Sequence, residues 1–370
     1  MKSITCFTES LGGGGAEHQI IVLARMLSEK GYEVSLVTYA SLQDYYETPK
    51  GVKRIDIGFT RIKVRYLKAF IKAIKVFVFF LRIKTDCIIA YRECANLRVL
   101  PPLFFRTKRI RVICSDRNTS TKLTLRHSFL LHFLYRRADY IVPNSVTQAL
   151  FIVEQNPLLK PKLHTIHNYT DPGIFVDSKM PEDTSIIKIA IFSRYSPQKN
   201  PLGFAEAVNT LKKRSNHPFE IHWYGEQNDN TGSYNSDYLN LFHKINELGI
   251  SDVFILHPAV KNPVQFMNQY HAICLPSLYE GFSNSIAEGI CCGKPMLVSD
   301  VSDNSIMVHQ CVNGFLFNPK ESESICNAFL DFFSLSYEDM ITMAQSSRSI
   351  ALQLFNKDSF LNQYVSLIES

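Results

Sequence analysis

The feature that most constrains this fold is an alternation, begun twice, of short apolar strand-like runs with longer helical stretches. Ser3–Thr8 reads as a strand. Ala16–Lys30 follows with Ile20, Leu23, Ala24 and Leu27 on one side at helical spacing. Gly31 stops it, and Glu33–Tyr39 is the next strand. Strand, helix and strand in that order make a βαβ unit, whose crossover helix forces the two strands parallel. Cys87–Ala90, Arg111–Cys114 and Tyr140–Pro143 read as further strands. After Pro172-Gly173 and the polar stretch Asp177–Ser185 the pattern restarts. Ile187–Phe192, Phe219–Tyr224, Val253–Leu256, Ile273–Pro276 and Pro295–Ser299 read as strands, with helices at Gly203–Lys213, Ser236–Leu248 and Ser285–Cys292. At 370 residues the chain has room for two such bodies. The expectation is an α/β protein of two Rossmann-like domains, residues 1–170 and 171–351. A C-terminal helix at about 352–370 is expected to pack back on the first.

Charge divides at the same place. Residues 1–180 carry 28 Lys and Arg against 14 Asp and Glu, whereas residues 181–370 carry 12 against 20. A basic first half beside an acidic second half implies different partners, and the basic half suits a polyanion or an anionic membrane face. Arg61–Lys84 sharpens this point. Arg65, Lys68, Lys72 and Lys75 fall on one helical face, and Leu67, Phe70, Ile71, Ile74, Phe77 and Val78 on the other. Such a helix either packs its apolar side on the sheet or lies on a membrane surface. The longest strongly apolar run, Val76–Leu81, is far shorter than the roughly 20 residues of a spanning helix. Met1–Phe7 lacks the apolar core of a signal peptide. A cytoplasmic chain is expected, with any membrane contact peripheral. Nine scattered cysteines without a C-x-x-C pair fit free thiols.

Three segments carry chemistry. Gly12-Gly13-Gly14-Gly15-Ala16-Glu17-His18 joins the first strand to the first helix. Glycines let backbone N–H groups approach a ligand, and the helix start favours an anion. A dinucleotide fingerprint would need a glycine where Glu17 stands and an acid after the second strand. Arg194 and Lys199 follow the strand Ile187–Phe192 and could together neutralise a diphosphate. The third segment is Pro276-Ser277-Leu278-Tyr279-Glu280-Gly281-Phe282-Ser283-Asn284-Ser285, running through Glu288 to Gly293-Lys294-Pro295. A strand enters a glycine turn and a helix, so N–H groups of Gly281–Asn284 can hold phosphate oxygens. Glu280 and Glu288 can accept from sugar hydroxyls.

The spacing Glu280–Glu288 resembles the E-x7-E motif of retaining glycosyltransferases of family 4 type, with the GT-B fold, such as those that build bacterial capsule and O-antigen. Gly14 and Gly15 are similar to that family's N-terminal glycine loop. Val142-Pro143-Asn144-Ser145 resembles its strand-end Asn-Ser, and Ile166-His167-Asn168 its interdomain segment. Arg194 and Lys199 match its diphosphate clamp, and Tyr224-Gly225-Glu226 its second-domain glycine turn. Many members carry a histidine after the strand equivalent to Val112-Ile113-Cys114. This chain has Asp116-Arg117-Asn118 there, similar to the Glu-Arg-Asn of some polysaccharide-building members.

The resemblance implies two sheets facing across a cleft, with sugar moved from a nucleoside-diphosphate donor, UDP-sugar favoured, to a glycan hydroxyl with retention. Glu280, Arg194, Lys199 and Asp116 are the implied catalytic residues. Gly14, Gly15, Arg194, Lys199, Gly225, Gly281, Phe282, Ser283, Asn284 and Glu288 would bind the donor, with the base near His257–Lys261. Arg117, Asn118, Asn144 and His18 would lie on the acceptor side. The acceptor is expected to be polyprenyl-diphosphate-linked, at the inner membrane face. No cofactor or metal is expected, since no D-x-D pair occurs, and no nucleic-acid partner. Two alternatives stay open: a sugar-nucleotide 2-epimerase of the same fold, and a basic nucleic-acid-binding protein.

Overall fold

A computed structural model of the chain describes residues 2–12, 14–39, 44–58, 65–117, 124–175, 179–228 and 232–370. Asn118 and the start of the expected Arg61–Lys84 helix, Arg61–Val64, lie outside them. The chain divides into two compact units, Met1–Tyr169 with Lys357–Ser370, and Thr170–Asn356.

The first unit runs β1 (Ser3–Thr8), α1 (Gly15–Glu29), β2 (Glu33–Thr38), β3 (Lys53–Asp56), α2 (Arg65–Arg82), β4 (Cys87–Tyr91), α3 (Glu93–Leu103), β5 (Arg111–Asp116), α4 (Leu125–His132), β6 (Tyr140–Pro143) and α5 (Val146–Gln155). The second runs β7 (Ile187–Phe192), α6 (Pro201–Arg214), β8 (Phe219–Gly225), α7 (Ser236–Leu248), β9 (Phe254–Pro258), α8 (Pro263–Met267), β10 (Ala272–Leu275), α9 (Asn284–Cys291), β11 (Met296–Ser299), α10 (Asn304–Met307), β12 (Gly314–Phe317), α11 (Ser322–Phe333) and α12 (Tyr337–Leu354). The last helix, α13 (Lys357–Glu369), belongs to the first unit. The chain passes between units at 356/357 rather than 351/352, because α12 continues to Leu354.

Each unit holds one six-stranded parallel sheet, ordered β3-β2-β1-β4-β5-β6 in the first and β12-β11-β10-β7-β8-β9 in the second. Counted from its own first strand, each is the doubly wound order 3-2-1-4-5-6. This is the repeated α/β pattern of the GT-B fold. The direction of winding reverses between β1 and β4, and again between β7 and β10. Loops leaving the carboxyl ends diverge there and open the crevice in which such sheets bind ligands. The inner strands read as unbroken apolar runs because helices cover both faces; all five residues of β4 are buried.

In the first unit, Val76 and Phe80 of α2, Ala95 and Val99 of α3, and Leu130 and Leu131 of α4 join one buried cluster with Ile88 and Val112 of the sheet. Their crossovers all run toward β6, and the right-handed rule puts them on one face. The apolar side expected to seat α2 is not the one that does so. Leu67, Phe70, Ile74 and Val78 are exposed, and from Tyr66 to Lys75 no described side chain is buried. Only the C-terminal half of α2 reaches the sheet. All nine cysteines are free.

Candidate active site

The second unit's crevice is built from the ends of β7 and β10. Three hydrogen bonds tie the two loops together. Leu278 N donates to Gln198 O at 2.8 Å, Gln198 Nε2 to Tyr279 O at 3.0 Å, and Ser285 Oγ to Phe192 O at 2.8 Å. Asn200 takes the left-handed conformation (φ 58°), ending the turn at Pro197–Lys199 and starting α6 at Pro201. These constraints bring Lys199 Nζ to 2.5 Å from Glu280 Oε1, both side chains buried or nearly so. Glu280 N also donates to Ser302 Oγ, a residue held at φ 53°. Arg194, two residues beyond β7, is exposed and pairs with no carboxylate among the described residues. One sequence-expected cation and one carboxylate thus meet at the switch point, while Arg194, on the loop after β7, stays exposed.

Gly281 leads into α9, where Phe282 is buried against Phe355 and the Ser283 hydroxyl caps Ile286 N. Asn284 begins the helix, whose positive end faces this loop. Glu288, one turn further on, is half-buried, and its carboxylate has no hydrogen-bonding or salt-bridge partner among the described residues. Burial pushes its carboxyl up from 4.5 to about 7. An unpaired carboxylate costs stability unless something pairs with it, which is the behaviour of a binding group. Lys294, which closes the motif, is structural. It is buried and donates to Lys179 O (2.6 Å) and Tyr270 O (3.2 Å), and desolvation pushes it down to about 8.

Gly225 ends β8 against this loop. A Cβ there would lie 2.6 Å from Ser193 O and 2.9 Å from the Tyr195 ring, so only glycine fits beside Arg194. Below it Phe192, Tyr224 and His257, in register on β7, β8 and β9, stack as a flat ladder. Phe192 and Tyr224 are 5.0 Å apart, Tyr224 and His257 4.4 Å, with planes within 14°. Of this stack sequence reasoning named only His257 as lying near the base. The signal was one aromatic residue at or near the carboxyl end of three successive strands.

In the first unit, Gly14 precedes α1 and Gly15 begins it, with His18 half-buried on its first turn. Burial, then Arg25, lowers the His18 pKa. A Cβ on Gly14 would strike Glu17 Oε2 at 2.2 Å. Glu17 in turn receives Arg92 Nη1 at 2.7 Å. Arg92 stands at the carboxyl end of β4, across the switch point from β1, at φ 80°. A non-glycine residue held there is strained, and such strain gathers at functional sites. No sequence motif marks Arg92.

Asp116 and Arg117, expected on the sugar and acceptor side, are both buried. Arg117 donates to Ser115 Oγ (2.6 Å), Asn168 Oδ1 (2.7 Å), Tyr91 OH (2.8 Å) and Tyr364 OH, and its guanidinium lies over the Tyr91 ring. Every side of its fork is occupied, and it pins α13 to the sheet. Asp116 is buried, with Gln148 Nε2 at 3.3 Å and His127 Nε2 at 3.5 Å. Burial lowers the His127 pKa, but Asp116 and Glu93 more than offset it and hold it above 6.5. A histidine thus does lie beside Asp116, brought there by α4. Asn144 is buried, its N–H on Asp116 O and its Oδ1 without a hydrogen bond among the described residues.

The second unit is similar in sequence to glycosyltransferases. Residues 177–348, nearly all of the second unit, match the family model Glycosyl transferases group 1. The chain is similar to the N-acetylgalactosamine-N,N'-diacetylbacillosaminyl-diphospho-undecaprenol 4-alpha-N-acetylgalactosaminyltransferase of Campylobacter jejuni. The two are 24% identical over 321 residues, 81% of each chain. It is also 32% identical over 151 residues to the UDP-Gal:alpha-D-GlcNAc-diphosphoundecaprenol alpha-1,3-galactosyltransferase of Escherichia coli, covering 37% of this chain and 34% of that one. The fold matches Anabaena HepE, solved with UDP and glucose, at TM-score 0.80 and 20% identity over 99% of both chains.

Proposed function

We propose that the chain is a retaining glycosyltransferase of surface-polysaccharide assembly. It moves a hexose or N-acetylhexosamine from a UDP-sugar to a hydroxyl of a polyprenyl-diphosphate-linked glycan at the inner membrane face. The bond from the anomeric carbon to the diphosphate oxygen breaks, and a bond to the acceptor oxygen forms on the same face. The acceptor's proton passes to the departing diphosphate. Arg194, Lys199 and the α9 N-terminus stabilise the charge that develops on the leaving group. Glu280 holds the sugar and Glu288 the ribose, and no protein nucleophile or protein-held metal takes part.

The observation that carries this reading is the Lys199–Glu280 pair at the switch point, with Arg194 exposed on the loop after β7. In the unliganded protein the lysine is balanced by the carboxylate. A bound donor offers each a better partner, diphosphate for the lysine and sugar hydroxyls for the carboxylate. The relatives' names, which specify sugars joined to undecaprenol-diphosphate glycans and in one case UDP-Gal, support donor and acceptor class.

The test is binding and slow hydrolysis of UDP-, GDP- and ADP-sugars with EDTA present, for the wild type and Glu280→Ala. Turnover follows with a polyprenyl-diphosphate glycan, the product anomer read by NMR. Saturable UDP-sugar binding, with turnover reduced ~10²–10³-fold in the variant, is expected. Failure of every sugar nucleotide to bind would sink the reading. A 2-epimer formed without acceptor would replace it with the epimerase.

A further inference from the structure

The face of the first unit that the sheet leaves outermost is not the surface of an ordinary water-facing layer. The helices α2, α3 and α4 share one buried cluster beneath them and so form a single layer over the sheet. On that layer Phe70 and Ile74 of α2, Phe105 just after α3, and Leu125, Phe129 and Phe133 on and just beyond α4 are exposed. Leu125 is 93% exposed and Phe105 72%. Leu125, Phe129 and Phe133 are spaced four apart, so they make one stripe along α4. The rings of Phe77 and Phe105, 5.9 Å apart, link the end of α3 to α2. Scattered single apolar residues need no explanation, but a set gathered on one layer does.

The charges along α2 and α4 share one sign. No acidic residue occurs from Arg61 to Lys84, against eight Lys and Arg, and none from Thr124 to Arg137. Lys75 and Lys84 on or just past α2, Lys108 before β5, and Arg126 and Arg136 on and after α4 are all exposed. Aromatic and leucine side chains on a helical face with a cationic rim are the composition of a surface that lies in the headgroup region of an anionic bilayer.

We propose that α2, the end of α3 and α4 together form a membrane-docking face. On it Phe105, Leu125, Phe129 and Phe133 insert among the lipids and the lysines and arginines hold the anionic headgroups. The occupant is the lipid bilayer itself. This deepens the inner-face placement proposed above and rests on it. It differs from contact through the Arg61–Lys84 helix alone in making α4 an inserting element, and it is independent of how the donor is bound.

The experiment is cosedimentation of the full chain with vesicles of phosphatidylcholine, with and without phosphatidylglycerol. Three proteins are compared: wild type, Leu125→Ser/Phe129→Ser/Phe133→Ser, and Lys72→Glu/Lys75→Glu. All are checked for wild-type melting and UDP binding. Wild type is expected to bind only the anionic vesicles and to be released by salt, with each variant at least tenfold weaker. A Phe129→Trp protein should be quenched by brominated lipids. An unchanged serine variant beside a weakened glutamate variant would overturn α4's part while leaving contact through α2 intact. If wild type binds no vesicle, both fail. If it instead self-associates and the serine variant is monomeric, the face is a contact between copies and the membrane proposal is wrong.

Discussion

Replacing Glu288 by Gln should stabilise this protein in mild base while crippling donor binding. The folded state raises the carboxyl from 4.5 to about 7 through burial alone. An acid whose pKa is raised on folding keeps its proton longer in the native than in the unfolded state. It therefore costs nothing below pH 4.5, and its penalty grows as pH rises toward 7 and is full above it. The shift of 2.5 units is worth about 3 kcal/mol at ~1.4 kcal/mol per unit. Glu288 is only half-buried, so solvent screening brings this to roughly 2 kcal/mol. For a unit of this size 1 kcal/mol moves Tm by ~2–4 °C. Glu288→Gln should then melt about 4–8 °C above wild type at pH 8 and level with it at pH 4.5. Melting curves across that range measure the difference. A ribose hydroxyl donating to the carboxylate favours its ionised form, so donor binding near pH 7 should expel a fraction of a proton. Calorimetry in buffers of different ionisation enthalpy reads that number, which should vanish in the Gln variant. Two parallel melting profiles, or binding of equal heat in every buffer, would refute the assignment of Glu288 as an unpaired group kept for the donor.

Two further substitutions separate binding from architecture. Gly225→Ala puts a methyl 2.6 Å from Ser193 O and against the Tyr195 ring. It should cost ~1–3 kcal/mol of stability and, by displacing the backbone before Arg194, weaken UDP binding about tenfold, measured by calorimetry. Unchanged affinity would mean that Arg194 takes no part. Arg117→Met leaves Ser115, Asn168, Tyr91 and Tyr364 without their shared donor. It should cost ~3 kcal/mol or more and expose α13 to limited proteolysis. A variant that keeps wild-type stability but loses affinity for the acceptor would restore Arg117 to the acceptor side.

What could be read from the sequence follows from how local each signal is. Strand and helix periodicity is set within a few residues. Ser3–Thr8, Tyr140–Pro143, Ile187–Phe192 and Ser236–Leu248 therefore have the bounds expected. Edge strands β3 and β12 were not read; β3 is Lys-Arg-Ile-Asp, with no buried residue and so no apolar run to mark it. The E-x7-E segment was legible because one strand, one turn and one helix hold all its groups. The partners of Arg117 were not legible in the same way, because they depend on a helix some 250 residues away in the chain: Tyr364 of α13 takes its fork. Sequence reasoning failed at α2. Helical spacing shows that Leu67, Phe70 and Ile74 share a side, but not whether that side meets the sheet, since this depends on where the crossover from β3 to β4 lets the helix rest. Arg92 is the limiting case. Its type and neighbours are ordinary, and only its place at the carboxyl end of β4, with φ 80° and Glu17 as partner, sets it apart. A residue whose significance comes from strain and topology leaves no mark in composition or spacing. Arg92 and its bond to Glu17, and His127 beside Asp116, are what the structure adds to the sequence in the first unit.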